Sequence, residues 1–301
     1  MLFTAFLAAG YLPAQEKTSL QQYKERYERL VSRGGVAGLG VETLLDHWAE
    51  DYPDDPDLYL ARFSLCLEKS KSTSIDTMSV SKYLGNAPVL TLKDSSGRDV
   101  NYFQTINYDD EEFRKACDVV TSAIAAWPDR LDFRFFKISA LMEYEKESPD
   151  MAMAEIRKLT DYNYTSHPQW EYPGIEVTPD TFAESIQEYC YAFFRIGSQE
   201  SYEAFKTLSE KMLSYRPDDP VFLNNLGSYQ LVVAHNDKAA LKIYNKVLKK
   251  HPDDYSTIKN CVLLARNAKN AKLEKKYLPM LIRVTGDEAE KASCQARLNA
   301  L

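Results

Sequence analysis

Residues 217–229 read PDDPVFLNNLGSY, residues 237–251 read DKAALKIYNKVLKKH, and residues 252–254 return to PDD. Two stretches with helical periodicity lie between the prolines. The first puts Phe222, Leu223, Leu226, Gly227 and Leu231 on one face; the second does the same with Ala240, Leu241, Tyr244, Val247 and Leu248. Both follow the i, i+3, i+4, i+7 spacing of a helix with one buried side. The two Pro-Asp-Asp signals stand 35 residues apart, the length of one helix-turn-helix unit. Such a hairpin cannot bury its apolar face alone, so the stretch predicts neighbours of its own kind stacked on it.

Upstream, residues 53–57 read PDDPD and nearly repeat residues 217–220. Helices are predicted over 19–32, 41–51 and 58–69, with Tyr23, Leu44, Leu45, Trp48 and Phe63 among their apolar positions. Then the pattern breaks. Residues 70–76 are a polar Ser/Thr/Lys segment. Residues 88–105 alternate apolar and polar around the turn chemistry of Ser95, Ser96 and Gly97, which predicts a β-hairpin. Helices resume over 109–127, 131–145 and 151–161. A second irregular segment, 162–179, holds Tyr162, Tyr164, His167, Trp170, Tyr172, Pro173 and Gly174. Helices over 181–196 and 200–215 lead into the opening unit, and others over 255–268, 272–284 and 287–301 follow it. The last is polar enough on one face to close a stack against solvent. The Pro-Asp-Asp runs at Pro53, Pro217 and Pro252 always fall between helices. An Asp there caps the next helix by accepting its backbone N–H bonds, and this recurrence argues against a calcium site.

The unit from Pro217 to Asp254 resembles a tetratricopeptide repeat. Leu226 and Gly227, Ala240, Tyr244 and Pro252 stand where that family places its leucine-glycine pair, small residue, aromatic and closing proline. One extra residue lies in the turn between the helices. The resemblance is clearest over 217–285, and the N-terminal half diverges from it. It implies an all-α fold, an α-solenoid of helical hairpins over residues 16–301, here with a small β-hairpin insertion within 71–108 and the irregular loop 162–179. It also implies a protein or peptide partner held along a concave face lined by the first helix of each hairpin. Asn224 and Asn225 match Lys259 and Asn260 one repeat on, and Arg266 follows Lys259 by two turns on the same side. Family members use such positions to hold peptide backbone or a terminal carboxylate, through charge-assisted bonds. The alternative is a generic polar groove surface.

Composition narrows the function. The 301 residues are 45% hydrophobic and 27% charged with a formal net charge of −7, an ordinary balance for a soluble protein. Nothing in it suggests nucleic acid as a partner. Cys66, Cys117, Cys190, Cys261 and Cys294 are scattered, as are the four histidines, so no metal or other cofactor is expected. There is no nucleophile elbow, phosphate-binding glycine loop or His-Glu-x-x-His helix. His47, between Asp46 and Trp48, is the one nameable catalytic candidate, and no nucleophile accompanies it. A non-enzymatic interaction module, a scaffold for a protein or peptide, is therefore expected, with no small-molecule ligand indicated. A second reading uses Trp170 and Tyr172 beside Pro173 and Gly174. Their rings either stack on a sugar, which would make a cell-envelope glycan-binding protein, or pack back onto neighbouring helices. Residues 1–15, MLFTAFLAAGYLPAQ, resemble the apolar core and cleavage end of a secretory signal peptide without its basic start. The apolar run is too short to span a bilayer. Export to a bacterial periplasm or envelope is the expectation, with no membrane span after signal removal. A cytoplasmic protein is the alternative if the run is an N-terminal core helix.

Overall fold

The computed structural model describes residues 18–301, which form thirteen α-helices and one three-stranded sheet. The expected signal, residues 1–15, lies outside them. The chain divides into two compact units. One takes the residues up to Ser72 together with Tyr108–Trp127; the other takes Thr73–Asn107 and Pro128–Leu301.

The first unit holds α1 (Leu20–Gly34), α2 (Val41–Asp51), α3 (Pro56–Ser70) and α4 (Asp110–Ala126). Its core gathers on Trp48, which stacks on Tyr23 at 6.1 Å and packs with Leu44, Leu45 and Leu58. α3 and α4 pack together as one hairpin although the chain between them builds the sheet. This accounts for an irregular spacing. Pro53 and Pro128 are 75 residues apart, and setting aside the 38 residues of 71–108 leaves 37, close to one hairpin.

The sheet comprises β1 (Lys71–Met78), β2 (Leu90–Lys93) and β3 (Asp99–Tyr108) in the order β1-β3-β2. β2 and β3 form the expected hairpin, antiparallel, with Leu90 opposite Tyr102 and Lys93 opposite Asp99. Its turn is closed by Asp94, whose carboxylate accepts from the backbone N–H groups of Ser96 and Arg98 at 2.8 and 2.9 Å. β1 replaces the polar loop expected over 70–76. It is held by a polar cluster rather than by apolar alternation. The Asp76 carboxylate accepts from Ser74 and Thr105, and Asn107 donates to Ser74 Oγ at 2.9 Å.

The second unit continues with α5 (Leu131–Glu145), α6 (Asp150–Ser166), α7 (Pro179–Ile196), α8 (Gln199–Tyr215), α9 (Pro220–Val232), α10 (Asp237–Lys250), α11 (Tyr255–Asn267), α12 (Ala271–Val284) and α13 (Glu288–Asn299). From α7 onward each helix packs on the next in sequence. The second Asp of every Pro-Asp-Asp run is an N-cap. Asp55 accepts from Asp57 N, Asp219 from Val221 N and Asp254 from Thr257 N. Gly227 lies directly under the Tyr244 ring, which is fully buried between α9 and α10. One boundary differs from expectation. α6 continues through Tyr162 and Tyr164 to Ser166 and ends on a left-handed His167. Tertiary contacts override the weak helix propensity of this stretch: Tyr164 stacks on Tyr215 at 4.2 Å, and Tyr162 donates to Asp129 at 3.1 Å. The irregular loop is therefore 167–178.

Candidate functional site

The residues expected to line a groove on α9 and α11 are each engaged within the fold, Asn224 with Asn260 and the others with neighbouring helices. Asn225 is buried and exchanges two hydrogen bonds with Gln187 on α7, at 2.7 and 3.2 Å, while also donating to Ser209. Asn224 Oδ1 accepts from Thr257 and Asn260, both at 3.2 Å, and Asn260 donates as well to Ser228. The result is an amide ladder that ties α7, α9 and α11 side by side. The basic groups are neutralised locally. Lys259 pairs with Glu290 of α13 at 3.0 Å and donates to Tyr255 OH at 2.9 Å. The hydroxyl of Tyr255 and the Glu290 carboxylate raise the Lys259 pKa above its ordinary value. Arg266 lies 3.9 Å from Glu274, a carboxylate only 1% exposed that also accepts two bonds from Arg297 at 2.7 and 2.8 Å. Hydrogen bonding by Arg297 holds Glu274 below the usual carboxylate pKa. These contacts close the C-terminal end of the helical stack.

The aromatic loop packs inward. Trp170 stacks nearly parallel on Phe182 at 6.2 Å, its Nε1 donates to Asn163 at 2.8 Å, and the Arg134 guanidinium lies over it at 5.5 Å. The loop is stitched to the start of α5 by backbone bonds, Leu131 N to Glu171 O at 3.0 Å and Glu171 N to Asp129 O at 2.9 Å. Tyr172 then sits 5.9 Å from Phe135, and Gly174, at φ 76°, turns the chain so that Ile175 and Val177 face the same space. His47 is exposed on α2 with Glu50 at 3.4 Å, while neighbouring Asp46 pairs with Arg62. Among the described residues no group of three or more His, Cys, Asp or Glu is placed to hold a metal ion, and no helix is long and apolar enough to cross a membrane.

Two neighbouring cavities lie instead between α5 and α7. A cavity of about 320 Å³ opens between Phe135 and Ser139 on α5, Thr181, Ser185 and Glu188 on α7, and Tyr172 of the loop. Tyr189 forms part of its floor; burial raises its hydroxyl pKa, and Ser139 hydrogen-bonds to it. A second cavity of about 470 Å³ follows along the same two helices, reaching Met142 on α5, Lys146 at its end, and Ala192 and Arg195 on α7. Its far wall is the sheet and the turn before it. That turn, Tyr83 to Asn86, is closed by two backbone bonds of 3.0 and 2.9 Å, with Leu84 and Gly85 both left-handed at φ 48° and 77°. Gly85 is required there: a Cβ would stand 2.4 Å from the Arg195 carbonyl oxygen. On α7 the residues Thr181, Ser185, Glu188, Ala192 and Arg195 recur at intervals of 4, 3, 4 and 3, one continuous face of the helix. This stripe was readable in the sequence but carried no apolar signal. What gives it meaning is two non-helical segments far apart in the chain, neither of which local sequence places there.

No protein-family model matches the chain, and no curated protein matches its sequence.

Proposed function

We propose that this protein is a non-enzymatic binding module, a solenoid of tetratricopeptide-like hairpins that receives a protein or peptide segment in the groove between α5 and α7. The observation that carries the reading is the pair of cavities in series along those helices, walled by the loop 167–178 at one end and by the sheet at the other. From Thr181 to Arg195 the face rises ~21 Å, the length of about six extended residues. Its floor is apolar with hydroxyls, while Glu188 stands at one end and Glu143, Lys146 and Arg195 at the other. A segment of mixed charge with one or two apolar anchors suits that lining. The repeat character is supported by the sequential packing of α7 to α13, the Gly227–Tyr244 contact and the Asp caps at the hairpin boundaries.

This reading moves the binding face from Asn224, Asn225, Lys259, Asn260 and Arg266 to the preceding first helices, because those side chains already have partners within the fold. The glycan reading draws no support from Trp170, whose ring is occupied by Phe182 and Arg134. Export to the periplasm or envelope remains part of the proposal and rests on residues 1–15 alone.

The test is selection of random dodecapeptides on the purified chain, with affinities then measured on Ser185→Trp and Ala192→Trp, each of which fills one cavity. Far-ultraviolet circular dichroism confirms that the variants fold. A consensus that binds the wild type and loses about tenfold or more on either variant supports the reading. Failure to enrich any consensus, or peptides that bind both variants unchanged, would overturn it.

A further inference from the structure

We propose that an extended segment carrying an acidic side chain adds as a strand to the free edge of β3 at Gln104 to Ile106, taking up where β2 leaves off; the inference rests on the peptide-binding reading above.

The ladder itself shows the vacancy. β2 and β3 pair from Leu90·Tyr102 to Lys93·Asp99, whereas β3 runs on to Tyr108. Just beyond the hairpin turn Asp94 N donates to Arg98 O at 2.9 Å, which marks Asp94·Arg98 as a hydrogen-bonded pair. Antiparallel pairs alternate between hydrogen-bonded and non-hydrogen-bonded types. Leu92·Val100 and Leu90·Tyr102 are therefore hydrogen-bonded, and the even-numbered residues of β3 direct N–H and C=O toward β2. One residue further the register slips: Leu90 is the partner of Tyr102, yet Val89 N also donates to Tyr102 O, so two residues of one strand face one of the other. This bulge ends the ladder, and the β2–β3 pairing goes no further than Leu90·Tyr102. The chain peels away after Val89, whose N donates to Tyr102 O at 2.8 Å, and is pinned on α7 by the Gly85 turn. The main-chain groups of Gln104 and Ile106 then face the cavity that this departure opens, and both residues line it.

Two further features fit that cavity to a strand. Apolar side chains, Leu84, Val89 and Met142 among them, offer pockets for alternate residues of an added strand. Leu84 and Lys146 both line this cavity at positive φ, 48° and 59°, Leu84 in the tight turn and Lys146 at the end of α5. The charged residues lining the cavity are two bases, Lys146 and Arg195, and one acid, Glu143, and Lys146 donates to the neutral Asn107 side chain at 3.4 Å. An acidic side chain on the incoming strand completes the charge complement.

The probe is the set of peptides enriched by the dodecapeptide selection, resynthesised with each Asp or Glu replaced by Asn, Gln or Lys, and with each backbone amide methylated in turn. The methylation series is measured on wild-type protein, so it needs no variant to fold. Strand addition predicts that methylating alternate amides weakens binding about tenfold, while the amides between them tolerate the methyl within about twofold. Replacing the acidic residue by Lys should cost about tenfold on the wild type, and Arg195→Glu should reverse that preference. Peptides that bind in the α5–α7 groove yet show no alternation overturn strand addition and leave the binding module standing. No enriched peptide at all removes both. Sedimentation of the chain alone completes the test: concentration-dependent dimers suppressed by the enriched peptide would make a second copy the occupant and overturn the proposal.

Discussion

Replacing Gly227 by Ala puts a methyl carbon where the Tyr244 ring already stands. A Cβ built on the Gly227 backbone lies 2.2 Å from ring Cε1, 2.7 Å from Cδ1 and 2.9 Å from Cζ. Carbon atoms at rest sit about 3.5–4.0 Å apart. Tyr244 is fully buried, with its hydroxyl 3.4 Å from Ser228 Oγ, so the ring has no empty space to enter. Two effects oppose each other. Ala is the better helix former by about 1 kcal/mol. Overpacking a well-filled site costs about 1–3 kcal/mol, and a contact this short belongs at the upper end. The net is a loss of about 1–2 kcal/mol, or about 2–8 °C in the melting midpoint of a unit this size. Propensity alone would raise the midpoint, so the sign of the shift decides. Thermal unfolding of Gly227→Ala, of Tyr244→Leu and of the double variant measures it. The cycle should show Tyr244→Leu relieving the Gly227→Ala loss by about 2 kcal/mol. A Gly227→Ala protein as stable as the wild type would refute the packing of α9 on α10 described above.

Other expectations follow from single contacts. Glu274 is held ionised by Arg297, so its folded pKa lies below the ordinary value of 4.5. The stability from this pair is full above that ordinary value and is lost as pH falls through the lowered one; Glu274→Gln should cost about 2 kcal/mol at pH 7 and flatten the acid limb of the stability–pH curve. Asp219→Ala removes the α9 cap and the partner that Arg216 Nε meets at 2.8 Å, and should cost about 1–2 kcal/mol in urea unfolding. Burial pushes the Cys190 and Cys261 thiols up to about 12, so iodoacetamide at pH 8 should leave both unmodified in the folded chain and label them once urea unfolds it. Gly85→Ala, strained at φ 77° and blocked by the Arg195 carbonyl, should lift the 83–86 turn from α7 and weaken peptides that reach the second cavity while sparing those confined to the first.

The helices were legible because each carries a stop and a start that physics makes local. The second Asp of each Pro-Asp-Asp run caps a helix by reaching only two or three residues forward, so its meaning survives without tertiary context. The β2–β3 hairpin was legible for the same reason, through alternation and the chemistry of its turn. β1 was not, because Ser74, Asp76, Thr105 and Asn107 stabilise it by hydrogen bonds whose partners lie about thirty residues away. The candidate groove was missed on similar grounds. Asn225 and Asn260 stand at the matched positions read from the sequence, but pattern cannot say that Asn260 bonds to Asn224 while Asn225 bonds to Gln187. Nor does any local signal tell that Tyr172 and Leu84, far apart in sequence, wall cavities over the same pair of helices.

The location of the ligand is the claim on which the account turns, and amide hydrogen exchange with and without an enriched peptide tests it most directly. Binding between α5 and α7 predicts slowed exchange over residues 131–146 and 179–196, together with the Tyr83–Asn86 turn and Gln104 to Ile106 of β3, and little change in α9 or α11. Protection confined to α9 and α11, with α5 and α7 unaffected, would contradict it and return the binding face to Asn224, Lys259 and Arg266.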